Sequence, residues 1–515
     1  MKLSSKVTFL FLAFFCLMLG FSFTSCVDEN DYTSSPAVEL KFSADTLMFD
    51  TVFTTIGSIT KTLMVYNNEN QAVKIDRITL GSGSASFYRL NVDGDTSLVA
   101  RDIEIGARDS LYIFVRLELD YNNQSNPLLV EDSIEFFFNN KSQKVLLHAY
   151  GQDAYYHKPS HYLLSSNQNG GYDTIWFSMA HENPETSGVI VNGNDIEWKS
   201  DKPHVVLGVC AVDSAYTLNL SANTRIHFQN SAEFWVYKDA TLKAEGDVSQ
   251  PIVFQGLRLD EYYKDIPGQW GTLRFWAGSK DNVLNNVVVK NATIGVLVDT
   301  CVTSNPTIEM MNTRIENCSY IGLYSRGAVL DMKNSLIQNC GNYNLALTLG
   351  GSYQFVHCTF ANYYNYKNRT TPLLYFNDYY LDVNSNVQFR QIEKAEFYNC
   401  IVHGALADSE IEFDMIDQSF STIRFDYCLV KYEGENQNTN LFTNSILNQD
   451  PMFVEASEGD LHLQENSPCI GKGNGIWGYN LPYDIEGNYR LDPPSIGAYE
   501  YKPQTNQKFL RKKVK

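Results

Sequence analysis

The chain has 515 residues, 44% of them hydrophobic and only 19% charged, with a formal net charge of −19. That balance is enough for two or three domains and a sizeable core, and it argues against nucleic acid as a partner, because phosphate binding needs a basic surface. A polyanionic ligand would need a local basic cleft that the overall charge conceals, and the plain reading of the acidity is a soluble extracytoplasmic surface.

Residues 1–25 read as a sorting signal. Lys2 and Lys6 precede the apolar run Val7 to Phe23, which closes on Thr24-Ser25-Cys26. A small residue before a Cys at such a boundary resembles a bacterial lipobox, although Phe23 stands where Leu is usual; the resemblance implies lipidation of Cys26. Ordinary secretory cleavage is the alternative. The acidic Val27-Asp28-Glu29-Asn30-Asp31 that follows resembles the export signal of Bacteroidota lipoproteins, which implies an outer-membrane, surface-exposed location. No other apolar run is long enough to span a bilayer, so lipid on Cys26 would be the only membrane contact.

Residues 26–37 form a polar tether. From 38 to 153, strand-like stretches such as Thr46 to Phe49, Val73 to Leu80 and Lys144 to Tyr150 alternate with turns such as Asn67 to Asn70 and Gly81-Ser82-Gly83. Seven short strands at that spacing predict an antiparallel β-sandwich. Phe49 to Gly57, Tyr112 to Val115 and His148 to Asp153 resemble the Ig-like N-terminal domain of Bacteroidota surface lipoproteins, which implies a spacer role. Residues 154–208 read as a connector and N-terminal cap. His157 and His161 stand four apart there, but Pro159 prevents the helical turn that would pair them on a metal.

A repeat organises residues 209–455. Val289-Lys290-Asn291-Ala292, Ile315-Glu316-Asn317-Cys318 and Ile337-Gln338-Asn339-Cys340 recur at intervals of 26 and 22 residues, the first two followed by Ile294-Gly295-Val296 and Ile321-Gly322-Leu323. A period of this size built from short apolar strands and polar turns predicts a parallel β-helix. Trp270-Gly271-Thr272-Leu273 and Asn282 to Ala292 resemble right-handed parallel β-helix proteins of the pectin-lyase-like superfamily, and right-handedness is implied by that resemblance alone. Between Cys358 and Cys400 the interval of 42 leaves room for two coils, interrupted by an insertion from Asn362 to Tyr380. Residues 456–502, with Ser467-Pro468-Cys469 and Ile496-Gly497-Ala498-Tyr499-Glu500, resemble the choice-of-anchor-type C-terminal segment of bacterial β-helix proteins and are expected to cap the solenoid. Ser495 stands where that family has Asp. Residues 503–515 form a basic tail. The expected fold class is therefore all-β, an N-terminal Ig-like β-sandwich followed by a right-handed parallel β-helix solenoid.

Eight cysteines remain after Cys16 and Cys26. Cys318, Cys340, Cys358, Cys400 and Cys428 occupy corresponding positions without zinc spacing, and read as packing inside successive coils; disulfides between coils stay open in an oxidising compartment.

The chain has no Arg-x-Pro-x-x-Arg, Asn-Thr-Asp, Asp-Asp or Gly-His-Gly string, so neither a pectate-lyase-like nor a polygalacturonase-like site is supported, and no catalytic residue is assigned. Two clusters remain. Tyr363, Tyr364, Tyr366, Tyr375, Tyr379 and Tyr380 lie among Asn and Asp, a composition suited to glycan, with packing onto the solenoid as the bland reading. Glu410, Glu412 and Asp414 alternate with Ile411 and Phe413, so the three carboxylates should share one strand face. They are weak candidates for Ca2+, a cofactor otherwise unsupported, and a solvated face is the better reading. The expected function is a lipid-anchored surface protein whose β-helix binds glycan or another surface partner without cleaving it. The alternatives are a polysaccharide lyase or glycoside hydrolase with an unfamiliar site, or a structural or adhesive surface protein.

Overall fold

The computed structural model describes residues 32–53, 60–118, 128–166, 172–181, 189–259, 263–300, 306–417, 419–434, 440–478 and 480–503. Cys26 and residues 504–515 of the basic tail lie outside them. The chain divides into two compact units, parted between Gln152 and Asp153. No helix among the described residues is long and apolar enough to cross a membrane.

The first unit is a β-sandwich. One sheet holds Lys41–Phe42, Lys61–Tyr66, Ser110–Leu117 and Tyr88–Val92; the other holds Thr46–Phe53, Lys141–Gln152, Leu128–Phe138, Val73–Leu80 and Val99–Ile105. Alternating residues such as Leu63, Ile75, Ile113, Phe136 and Leu147 fill the space between the sheets. Two strands, Tyr88–Val92 and Val99–Ile105, escape the strand reading of the sequence because polar residues interrupt them. The sandwich also departs from a purely antiparallel arrangement: Thr46–Phe53 pairs parallel to Lys141–Gln152.

The second unit is a parallel β-helix with three sheets of ten or eleven strands. Each coil lays one strand on each face in turn; Val209–Val212 lies on face 1, Thr217–Leu220 on face 2 and Arg225–Phe228 on face 3. Parallel pairing begins ahead of Val209. In the segment expected to be a connector, Tyr155–His157 pairs with His204–Val206, and two antiparallel hairpins, His161–Ser166 with Tyr172–Met179 and Val189–Asn192 with Asp195–Trp198, start faces 1 and 2. His157 and His161 part company there: His157 meets His204 at 3.0 Å between ring nitrogens, and His161 pairs across the hairpin with Phe177.

The repeated phrase acquires a physical cause. Asn291, Asn317 and Asn339 each adopt positive φ at the turn from face 3 to face 1, a conformation asparagine tolerates. Gly295 and Gly322 follow because a Cβ at either would lie 2.6 or 2.7 Å from a carbonyl of the next coil. The cysteines correct the expected single column. Cys318 and Cys340 stack at the turn into face 1, in register with Ala292, whereas Cys358, Cys400 and Cys428 stack at the turn from face 2 to face 3, above Thr313 and Ser335. All seven described cysteines are buried free thiols.

The stretch from Cys358 to Cys400 is one enlarged coil instead of two. Its strands are Thr359–Asn362, Leu374–Asn377 and Ile392–Tyr398, with a loop after the first and a hairpin, Tyr379–Leu381 against Val387–Phe389, after the second. Inside, Phe355, Phe397 and Phe425 stack at 4.6 and 4.4 Å between centroids.

The C-terminal segment does not sit on the end of the solenoid. Phe453, Leu461, Leu463, Cys469, Ile485, Ile496 and Tyr499 pack laterally against Leu336, Ala361, Ile401 and Leu429, the outward residues of face 3. Ser495, in the place of the expected Asp, closes its own loop by donating its hydroxyl to Glu500 at 2.7 Å.

Candidate functional site

The three outer faces differ in what they present. Over the coils from Leu336 to Leu429, face 3 is covered by the chain's own C-terminal segment. Face 2 turns out Lys243, Glu309, Asp331, Glu396 and Arg424 along one register row, a charged surface of mixed sign. Face 1 differs from both.

Side chains alternate across a strand, so the inward Phe234, Leu273, Val296, Leu323, Leu345, Leu374 and Ile411 of face 1 leave the next residues facing outward. Strand pairing lines these up as Trp235, Arg274, Leu297, Tyr324, Ala346, Tyr375 and Glu412, of which Trp235, Leu297 and Ala346 are buried by their neighbours and the other four partly exposed. Two residues further along each strand runs a second row that includes Arg326, Thr348, Asn377 and Asp414, with Tyr237, Trp276 and Asp299 just past the paired ends of their strands. At about 4.8 Å per coil the strip extends about 29 Å.

One end is aromatic and basic. Trp276 meets Trp235 edge-on at 5.2 Å and Tyr237 at 5.8 Å, and the Arg274 guanidinium lies 3.5 Å over the Trp276 ring. Arg274 donates through Nε and Nη2 to Oδ2 of Asp299 at 3.1 and 2.9 Å, and Arg326 donates through Nε to Oδ1 at 2.6 Å. None of these residues stood out in the sequence. The signal was the alternation in Glu233-Phe234-Trp235-Val236-Tyr237 and Leu273-Arg274-Phe275-Trp276, which sets polar and aromatic residues on the face opposite the core.

The other end joins the two clusters that sequence treated separately. Tyr375 belongs to a regular strand of face 1, not to an insertion. It stacks on Tyr343 at 4.9 Å and donates its hydroxyl to Asp414 at 2.7 Å. Tyr379, on the hairpin, donates to the same carboxylate at 3.0 Å, and the Tyr343 hydroxyl reaches Glu412 at 3.5 Å. Partial burial lifts the Glu412 carboxyl above its ordinary pKa. Burial, with Glu412 beside it, pushes the Tyr343 phenol up to about 12.

The remaining candidates scatter. Tyr363 is pinned by His403 at 2.9 Å and by Phe453, so it is part of the packing under the C-terminal segment. Tyr364 and Tyr366 form a tilted pair in the loop, with Tyr366 half exposed; Tyr380 is exposed on the hairpin. Glu410 does not share the outward face with Glu412 and Asp414. It is buried and gripped by both terminal nitrogens of Arg369, at 2.7 and 2.6 Å, and it also accepts from the Leu373 and Leu406 amides. A fully committed carboxylate has no oxygen left for Ca2+, so the expected row of three reduces to two. No three His, Cys, Asp or Glu side chains among the described residues converge as a metal site.

No family model matches the chain, and no curated protein does. Among solved structures, the catalytic unit of a GH87 α-1,3-glucanase from Streptomyces thermodiastaticus aligns over 72% of this chain and 79% of its own, at 10% identity and a TM-score of 0.21. A family 123 glycoside hydrolase from Clostridium perfringens aligns over 22% of this chain and 27% of its own, at 9% identity and a TM-score of 0.18. A protein of unknown function from Porphyromonas gingivalis W83 aligns over 25% and 56%, at 16% identity and a TM-score of 0.17. Likenesses this slight carry no functional reading.

Proposed function

We propose that this chain is a lipid-anchored protein of the outer cell surface whose β-helix binds an extended glycan along face 1. The observation that carries the reading is the outward strip of face 1, where the exposed ring of Tyr237 and the partly exposed rings of Trp276, Tyr324 and Tyr375, able to cover apolar sugar faces, lie beside guanidiniums and carboxylates able to meet hydroxyls. A straight ladder of strands suits an extended polymer. Affinity electrophoresis of the purified full chain through gels containing neutral or acidic polysaccharide tests it. Retardation by at least one glycan is expected, and Trp276→Ala with Tyr375→Ala should weaken it together. Retardation unchanged in that double variant would remove face 1 from the reading. For the anchor, Cys26→Ala should abolish labelling by a palmitate analogue.

Glycan hydrolysis is the second reading, favoured by one feature: the raised Glu412 carboxyl, two residues from Asp414 on the same face, has the character of a general acid. Release of reducing ends that disappears in Glu412→Gln would establish it over binding alone.

A further inference from the structure

We propose that the coils bearing Arg274, Asp299 and Arg326 select an anionic group on the bound glycan, a carboxylate or a sulfate, and that the strip takes acidic units spaced along the chain in preference to a uniformly acidic polymer. This deepens the glycan-binding reading of face 1 and rests on it.

The argument begins with charge. The protein as a whole carries −19, yet at this station two guanidiniums face a single carboxylate. A clamp between coils needs one arginine per carboxylate; the second leaves a surplus positive charge. The side chains of Arg274, Arg326 and Asp299 are 22%, 33% and 8% exposed, so that surplus sits in a partly desolvated place, where it is costly unless an anion from outside neutralises it. Asp299 occupies Nε and Nη2 of Arg274, and Nε with Nη2 of Arg326. Among the described residues, Nη1 of neither arginine has a hydrogen-bond partner, so each fork keeps an edge for another acceptor. Arg390 adds to the same field: its Nη2 lies 3.4 Å from where a Cβ on Gly327 would be, beside Arg326.

The rings supply the sugar contact next to the charge. Tyr237, 43% exposed and 5.8 Å from Trp276, offers the accessible ring, while Trp276 packs under the Arg274 guanidinium and edge-on to Trp235, its indole N–H buried with no partner among the described residues. A pyranose stacked there would place an acidic substituent against the guanidiniums.

The spacing preference comes from the far end. Glu412 follows Arg274 in the same row by five coil steps, about 24 Å, and Asp414 lies beside it. A polymer acidic at every unit would set negative charge against those two carboxylates. One with neutral units between acidic ones can meet the arginines and leave neutral hydroxyls at the tyrosine-carboxylate end.

The test is titration of the purified full chain with length-matched oligosaccharides of dextran (neutral), alginate (uniformly acidic), unsulfated chondroitin (a carboxylate on alternate units) and carboxyl-reduced chondroitin sulfate (a sulfate on alternate units). The alternating glycans should bind about tenfold more tightly than dextran, the size of effect that one or two charge-assisted hydrogen bonds supply, and the preference should fall with salt. Alginate should bind less tightly than chondroitin and gain in Glu412→Gln with Asp414→Asn. Comparison of the two chondroitins assigns the carboxylate or the sulfate. Arg274→Gln with Arg326→Gln should bring the ratio of chondroitin to dextran affinity to parity, whatever it does to dextran binding itself. If that variant fails to fold, Arg326→Lys keeps the charge, loses the fork and should lose only part of the preference. Dextran bound as tightly as the chondroitins, or a preference that survives the arginine variants, overturns the anion station. Alginate equal to chondroitin overturns the spacing. If no glycan binds at all, the face 1 reading itself has failed.

Discussion

Tyr375 donates its phenolic hydroxyl to Asp414 at 2.7 Å across neighbouring coils of face 1, and Tyr379 reaches the same carboxylate from the hairpin. One carboxylate thus orients two rings that belong to different elements, a strand and a hairpin. Asp414→Ala should free both rings and weaken glycan retention, whereas Tyr363→Ala should leave retention unchanged. Tyr363 packs beneath the C-terminal segment, so its loss should lower stability by about 3 kcal/mol. Affinity electrophoresis and denaturant melts separate the two effects; equal loss of retention in both variants would contradict the division drawn between these tyrosines.

Arg369 and Glu410 make a buried ion pair that ties the loop of the enlarged coil to the strand behind it. Removing one partner leaves an uncompensated buried charge, so Glu410→Leu or Arg369→Met alone should cost about 3–5 kcal/mol. Replacing both by apolar residues removes the orphaned charge as well, and the double variant should recover most of that loss. A double variant as unstable as either single one would mean that the pair contributes more than the cost of its own desolvation.

The solenoid was legible because its repeat is local: an asparagine at positive φ, a small residue inside the turn and a glycine forced by the next coil recur within a few residues of one another. The candidate site was only half legible. Trp235, Arg274, Asp299 and Arg326 lie dozens of residues apart and become neighbours through strand register alone, which the sequence does not display until coil lengths are known. Glu410 misled for the opposite reason. Its spacing from Glu412 and Asp414 is that of a strand, but the strand starts at Ile411, and the turn before it directs Glu410 to Arg369.

The buried thiols should be inert in the native protein. Burial pushes Cys210 and Cys469 up to about 12. Hydrogen bonding of the Cys318 thiol to Cys340, together with burial, raises Cys318, and burial raises Cys358 and Cys400 as well. A thiol reagent at pH 8 should therefore modify none of the seven described cysteines until denaturant opens the solenoid, after which all seven should react. Mass spectrometry of the native protein reads this directly, and rapid modification of Cys358 or Cys400 would show that their turn is open to solvent.

Acidification should loosen the β-helix before the sandwich. Burial pulls His204, His227 and His403 down to about 4, and pulls His157 and His357 lower than their ordinary value too. All five lie in the second unit. Since their folded pKa values lie below 6.5, the unfolded chain binds more protons than the native one between pH 6.5 and about 4. Stability is therefore fully present above pH 6.5 and declines as the pH falls through that window. At pH 5 each of the three histidines with a value near 4 would contribute a loss of about 2 kcal/mol. His462 works the other way, because its ring donates hydrogen bonds to Glu486 and Asp460 that hold its proton, but it is one group against five. The unfolding transition of the β-helix, followed by fluorescence of its tryptophans, should move to lower denaturant between pH 7.5 and pH 5, and His204→Gln with His227→Gln should flatten that dependence. A transition that stays in place, or moves to higher denaturant, would mean that these histidines accept protons in the folded solenoid without loss.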